Sequence, residues 1–212
     1  MNLTAPSSAA LAARGVGVDG RRGADPILDG ISLEILAGQL TVVTGQPDEA
    51  KSALIRVLAG LRMADRGSVW SQSWDARGLG DPRVSQLRTG EAAFVAGASR
   101  VKGWGRLGAT RRRDPSGHLA AARQVTAVER ALTPVLRTLF ADLDPDGERE
   151  SLDAVAHWTR SHRRTAVVAV TDPRAAIAAD RVLVLGHGRL IGDLDKPERR
   201  DLASMMELAG SG

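Results

Sequence analysis

A glycine, a lysine and a serine in residues 45–52 have a spacing that can bind phosphate. The segment reads Gly-Gln-Pro-Asp-Glu-Ala-Lys-Ser and follows the pattern G-x-x-x-x-G-K-[ST], with Ala50 in place of the second glycine. In this pattern the glycine lets the chain turn off a strand, backbone N–H groups surround the anion, the lysine reaches the terminal phosphates and the hydroxyl binds magnesium. The sequence therefore predicts a phosphate site formed by Gly45, Ala50, Lys51, Ser52 and Ala53, with Ser52 as the metal ligand.

The same segment carries two acids, Asp48 and Glu49, where a phosphate would have to lie. Each carboxylate would oppose a phosphate charge by up to about 4 kcal/mol at 4 Å and an effective dielectric constant of 20. Acids also suit the first turn of a helix, where they complement the helix dipole. We therefore expect a structural role for both, and an ion pair from one of them to Lys51 would fill the phosphate site from within.

The segments around this loop have the patterns that a phosphate site needs. Residues 40–44 form a short β-branched run without charge, which is typical of a strand buried on both faces. We expect this strand to end at Gly45 and a helix to begin at Lys51, since apolar residues recur at helical spacing from Leu54 to Leu61. A strand, a loop and a helix in that order form half of a βαβ unit.

The rest of the chain predicts further strands and helices of one α/β domain. Residues 119–139 are mostly helix-forming, and residues 144–147 form a turn and a helix start in which Asp144 has a structural role. The segments expected after them are strands over 165–170 and 181–185, a hairpin turn at His187-Gly188 and a polar helix over 197–208.

Five segments of the chain resemble the ATP-binding subunits of ABC transporters in order and spacing. They read ILDGISLEILAGQLTVVTG, KSALIRVLAGL, DRGSV, LDPDGERESLDAVA and TDPRAAIAADRVLVLGHGRL. The resemblance spans about residues 11–193. It implies an α/β P-loop NTPase core, with a mixed, largely parallel sheet flanked by helices and a small helical subdomain.

The sequence and the resemblance together predict the domain boundaries. Residues 1–10 form a flexible leader. Residues 11–212 then form a single domain, whose core covers about 11–95 and 130–195. The helical subdomain covers about 96–129.

Several residues that the family uses around the nucleotide have no counterpart here. The aromatic ring that stacks on adenine is missing near Gly20, and the glutamine expected after Phe94-Val95 is replaced near Gly97. The signature LSGGQ has at best the fragment of residues 115–118. The surface that would hold a partner subunit's ATP is therefore largely lost.

The residues that the family uses for hydrolysis are also missing. Counting back from residues 143–145, the aspartate that binds magnesium falls on Arg137 and the catalytic glutamate on Thr138, while the switch histidine falls on Thr171. No Asp-Glu pair occurs anywhere in residues 132–143. Because hydrolysis needs a base, a metal ligand and donors around the developing charge, we assign no catalytic residue.

Composition excludes several other classes of protein. The chain of 212 residues has no cysteine, so thiolate metal sites and a cysteine nucleophile are excluded. Its net charge of +4 comes from scattered arginines, and with only six aromatic residues it offers few rings for stacking on bases, so we expect no nucleic-acid partner. No run approaches the ~18 apolar residues of a membrane helix, and no basic segment precedes the N-terminal alanines.

These observations and the resemblance lead to one expected function and two alternatives. The expected function is that of a degenerate ATP-binding-type subunit with weak or absent hydrolysis, cytoplasmic and peripheral to the inner face of the cell membrane. ATP and Mg²⁺ are its possible cofactors, and its partners are a permease, which alone gives it membrane contact, and a second ATP-binding subunit or a second copy. The alternatives are an active ABC ATPase and a regulatory interaction module that binds no nucleotide.

Overall fold

The structure is a computed structural model that describes residues 9–21, 24–71, 74–75, 92–96, 118–133 and 136–210. Its strands are β1 (Ala9–Val18), β2 (Leu28–Leu36), β3 (Leu40–Gln46), β4 (Arg66–Ser71), β5 (Trp74–Asp75), β6 (Ala92–Ala96), β7 (Thr138–Asp142), β8 (Thr165–Ala169), β9 (Arg181–Gly186) and β10 (Arg189–Asp195). Its helices are α1 (Asp48–Leu58), α2 (His118–Ala131), α3 (Glu148–His162), a 3₁₀ helix (Ala175–Ala178) and α4 (Arg199–Gly210).

The larger sheet has the strand order β10-β9-β3-β8-β7-β6. Its strands run parallel except for β10, which pairs antiparallel with β9 through the predicted hairpin turn. Every residue of β7 and β8 is buried, because helices cover both faces of the sheet. The prediction of a mixed, largely parallel sheet flanked by helices is confirmed.

The smaller sheet is antiparallel, in the order β2-β1-β4-β5. Helix α1 lies between the two sheets and buries Leu54, Ile55 and Leu58 in one core, together with strand residues such as Val43 and Leu185. Alternate residues of the same parallel strands point to the opposite face, where they form a second core with α3 and α4. The N-terminus of α1 is thereby fixed at the carboxyl edge of the larger sheet.

Several predicted boundaries are wrong. Strand β1 begins at Ala9 and buries Ala9 and Ala10, so these two residues do not belong to a leader. Helix α2 ends at Ala131, and Leu139, predicted to be helical, lies in β7, because the larger sheet takes up this apolar segment. The last helix is shifted by two residues and spans Arg199–Gly210.

Of the expected helical subdomain, the structure describes α2, which packs against α3. Residues 97–117 lie outside the described ranges. Among the helices that are described, none is long and apolar enough to span a membrane.

Candidate functional site

Gly45 lies inside β3 rather than at its end. It pairs with Leu185 of β9, and β3 continues to Gln46. Its φ is +110°, and a Cβ atom there would overlap the backbone of Leu185. Only glycine permits both this φ and the close approach of the two strands. The residue therefore serves the packing of β3 against β9 as well as the turn that the sequence predicted.

Helix α1 begins at Asp48, three residues earlier than the sequence predicted. Pro47 is the only residue between it and β3, so Asp48, Glu49 and Ala50 lie in the first helical turn. The two acids stand where the helix dipole favours negative charge, as expected. The sequence pattern predicts a wide loop whose free amides surround an anion. The structure has a tight turn from β3 into α1 at this position.

Lys51 is directed inward and has two partners. Its side chain is 2% exposed, and its Nζ lies 2.7 Å from Oδ1 of Asp48. The same Nζ donates a hydrogen bond of 2.9 Å to the carbonyl oxygen of Val170, the residue directly after β8. The predicted ion pair between Lys51 and an acid of the loop is confirmed. Ser52 and Ala53 follow on α1 and are also buried.

The acid at the carboxyl end of β7 is Asp142, which the sequence analysis missed. Arg137 and Thr138, predicted at the positions of the metal-binding aspartate and the catalytic glutamate, lie at the opposite end of this strand. Phosphate sites of parallel sheets lie at the carboxyl edge, so both assignments are wrong. The error came from counting back over a loop assumed to be of ordinary length, whereas only residues 143–147 separate β7 from α3.

Asp142 is 1% exposed, and its Oδ2 lies 3.7 Å from Nη2 of Arg56 on α1. It is a buried carboxylate on the strand next to β8, which itself neighbours β3. The residue after it is Leu143, which is fully buried and whose side chain cannot accept a proton. The position after Asp142 therefore carries no general base.

Thr171, predicted in place of the switch histidine, lies two residues after the end of β8 and at the same edge of the sheet. Its backbone N–H donates to Oε2 of Glu148 at 2.6 Å, and the N–H of Asp172 donates to Oε1 of Glu148 at 3.0 Å. Glu148 is the first residue of α3 and is 3% exposed. One carboxylate thus holds the two backbone groups that follow β8.

Burial raises the pKa of Glu148 above its ordinary value, and the negative charge of Asp172 adds to this effect. The two amide hydrogen bonds and the charge of Lys51 act in the opposite direction and lower it. Sequence reasoning missed Glu148, because its partners lie 23 and 24 residues further along the chain. The only local signal was an acid in the first turn of a helix.

The short loop between β7 and α3 is held by Gln124 of α2. Its Nε2 donates to the carbonyl oxygens of Asp144 and Asp146, each at 3.1 Å, and its Oε1 accepts from the N–H of Asp144 at 2.7 Å. Asp144 is 7% exposed and lies in this loop, while Gly147 is the residue before α3. The expected turn is present, but Asp144 does not cap the helix.

Of the predicted phosphate-site residues, Gly45 lies in β3, and Ala50, Lys51, Ser52 and Ala53 lie in the first half of α1. Glu148 is close enough to Lys51 for their charges to interact, whereas Asp142 contacts Arg56 in the last turn of α1. The expected replacement near Gly97 and residues 115–117 of the signature fragment lie outside the described residues, while His118, the last residue of that fragment, begins α2. Within the described ranges, no group of three or more acidic or histidine side chains could hold a metal ion.

Comparison with known proteins identifies relatives along nearly the whole chain. An aliphatic sulfonates import ATP-binding protein of Mesorhizobium japonicum is 31% identical over 92% of this chain and 84% of its own length. A second such protein, from Xanthomonas axonopodis, is 32% identical over 85% of this chain and 70% of its own length. A phosphonates import ATP-binding protein of Natronomonas pharaonis is 29% identical over 90% of this chain and 97% of its own length. No protein-family profile matches the chain.

Solved structures with the same fold are also ABC proteins. The dimeric bacterial ABC transporter cassette MJ0796 superposes with a TM-score of 0.67 at 16% identity, covering 89% of this chain and 99% of that one. The protein cbiO1 of Clostridium perfringens, part of an ABC transporter complex, superposes with a TM-score of 0.64 at 16% identity. The superposition covers 95% of this chain and 96% of cbiO1. By its fold and its relatives, the chain belongs to the family of ABC transporter ATP-binding subunits.

Proposed function

We propose that this chain is a subunit with weak or absent ATP hydrolysis, which contributes structure and coupling beside a permease and a competent partner ATPase. The observation that carries the proposal is the state of Lys51. Its ammonium group is buried and already bound by Asp48 and by the carbonyl of Val170. A phosphate would have to displace both contacts and approach the carboxylates of Asp48 and Glu49.

The residues present fit a magnesium nucleotide only in part. Ser52 and Asp142 supply oxygen atoms of the kind that Mg²⁺ binds. The cationic group that would neutralise the terminal phosphates is engaged elsewhere, and Leu143 offers no base for the attacking water. The site therefore fits Mg-ATP poorly, and we derive no step of hydrolysis through it.

The relatives suggest what the whole transporter moves. They are named as subunits for the import of aliphatic sulfonates and of phosphonates, which are small organic oxyanions. We extend this to the present chain and propose that its transporter imports such an anion. In this arrangement the chain lies at the inner face of the cell membrane and contacts the membrane only through the permease.

The test measures binding and hydrolysis separately on the purified chain. We expect no ATP hydrolysis above background and a rise in Tm below 1 °C with Mg-ATP, because a ligand stabilises by RT ln(1 + [L]/Kd), which is small when the dissociation constant exceeds the ligand concentration. The double variant Asp48→Asn, Glu49→Gln removes the two carboxylates that compete with phosphate. It should bind Mg-ATP at least about tenfold more tightly, a change of about 1.4 kcal/mol. Glu150→Gln, an exposed acid on α3, is the control.

Two alternatives predict different results. An active ABC ATPase, favoured by the buried Asp142 at the metal position, would hydrolyse ATP and lose that activity on Lys51→Ala. A regulatory module that binds no nucleotide would give no response to Mg-ATP in the wild type or in the double variant. Turnover that depends on Lys51 would therefore refute the proposal.

A further inference from the structure

A cavity of about 260 Å³ lies between the 3₁₀ helix and α4, and the residues that line it belong to neither α1 nor β7. Apolar side chains, including Ile177, Leu202 and Met206, form most of its wall. Two arginines, Arg174 and Arg199, complete the lining. Small-molecule sites combine an apolar wall with a few charged groups in this way.

The two arginines differ from the adjacent Arg200 in their contacts. In the part of the chain that the structure describes, neither guanidinium of Arg174 and Arg199 forms an ion pair or a hydrogen bond with another side chain. By contrast, the adjacent Arg200 contacts Glu198 at 2.9 Å. Two positive groups of like charge beside one apolar cavity complement an anion, and a guanidinium can bind an oxyanion through two parallel hydrogen bonds.

We propose that this cavity binds a small molecule with one oxyanion head group and a short aliphatic tail. The head group contacts Arg174 and Arg199, and the tail packs on Ile177, Leu202 and Met206. The volume equals that of about nine water molecules at about 30 Å³ each, so the cavity suits a compact ligand such as a sulfonate with a tail of about five carbons.

The cavity borders the segment that Glu148 holds. Arg174 lies two residues after Asp172, and its own N–H donates to Oδ1 of Asp172 at 2.9 Å. A ligand that binds the guanidinium of Arg174 will restrict this segment and the 3₁₀ helix after it. Bound ligand should therefore slow amide hydrogen exchange at residues 175–178, independently of whether the chain binds nucleotide.

The test is a titration of the full-length chain with sodium pentane-1-sulfonate, whose charge is constant across pH. We expect methyl NMR shifts at Ile177 and Met206, and a rise in Tm of about 3–5 °C at ten times the dissociation constant. Methanesulfonate, which has the charge without the tail, and 1-pentanol, which has the tail without the charge, should each bind at least tenfold more weakly.

Matched variants separate a specific site from general attraction to a basic surface. The double variant Arg174→Gln, Arg199→Gln should weaken binding at least tenfold. Arg200→Gln is the control, because this arginine lies next to Arg199, does not line the cavity and already contacts Glu198. Binding should change less than twofold in this control.

Three results would overturn the proposal. The first is the absence of binding at about 20 mM pentane-1-sulfonate, 20 times a millimolar dissociation constant. The second is equal affinity for methanesulfonate and pentane-1-sulfonate. The third is an equal loss of affinity in the double variant and in Arg200→Gln. Circular dichroism of each variant establishes that it is folded. If the double variant fails to fold, Met206→Gln, which changes only the tail contact, provides the same comparison against Arg200→Gln.

Discussion

The ammonium group of Lys51 connects two elements of the core, α1 through Asp48 and β8 through the carbonyl of Val170. Lys51→Met should therefore reduce the free energy of unfolding even without nucleotide. The buried carbonyl of Val170 would lose its partner, which costs about 1–3 kcal/mol, while the half-exposed Asp48 adds little. Urea unfolding of the apo protein measures this, with the exposed Lys196→Met as control. A loss below 0.5 kcal/mol would show that Lys51 has no structural role.

Glu148 should make stability depend on pH. Because its pKa is raised in the folded state, the folded chain holds this proton more tightly than the unfolded chain does. Its contribution is therefore greatest at or below the ordinary pKa of 4.5 and decreases as the pH rises through the raised value. Urea unfolding from pH 4.5 to 8 should show the wild type losing stability relative to Glu148→Gln. Glu150→Gln should leave the pH profile unchanged, and a wild type that gains stability relative to Glu148→Gln as the pH rises would contradict this prediction.

Among the strands, the contact between β3 and β9 depends on the absence of a side chain at Gly45. Gly45→Ala should destabilise by about 4 kcal/mol or more, because its Cβ would overlap the backbone of Leu185 and its φ of +110° disfavours alanine. Gly30→Ala is the matched control: its φ is +69°, but nothing lies within 4 Å of the new Cβ, so only the backbone cost of about 1–2 kcal/mol applies. Thermal unfolding measures the stability of both variants. An equal loss of stability in Gly45→Ala and Gly30→Ala would mean that the close approach of β3 and β9 is not the cause.

The elements were predictable wherever one local pattern decided them. The run of residues 40–44 predicted β3, and the spacing of Leu54 and Leu58 predicted α1, because burial fixes both patterns. The start of α1 was missed because Asp48 and Glu49 were taken to belong to a phosphate-binding loop, although acids favour a first turn. The contact of Glu148 with Thr171 was not predictable, since it depends on how α3 packs beside β8.

At the scale of the molecule, the carboxyl ends of β3, β7 and β8 lie at one edge of the larger sheet, and α1, which carries most candidate residues of the phosphate site, begins there. The contacts there are internal: Lys51 binds Val170, and Glu148 binds the two residues that follow it. Side chains of the protein thus hold the segment after β8 without a nucleotide. These internal contacts agree with the structural and coupling role proposed above.

This role makes a prediction for the assembled transporter. In a complex of this chain with its permease and a competent partner ATPase, turnover should depend on the partner's site and not on the site described here. Ser52→Ala removes a hydroxyl with little change in volume, so the subunit should stay folded, and ATP turnover of the complex should change less than twofold. The equivalent serine substitution in the partner should reduce turnover at least a hundredfold, because there the hydroxyl binds the catalytic metal ion. A tenfold loss of turnover on Ser52→Ala would mean that this chain binds Mg-ATP productively within the complex.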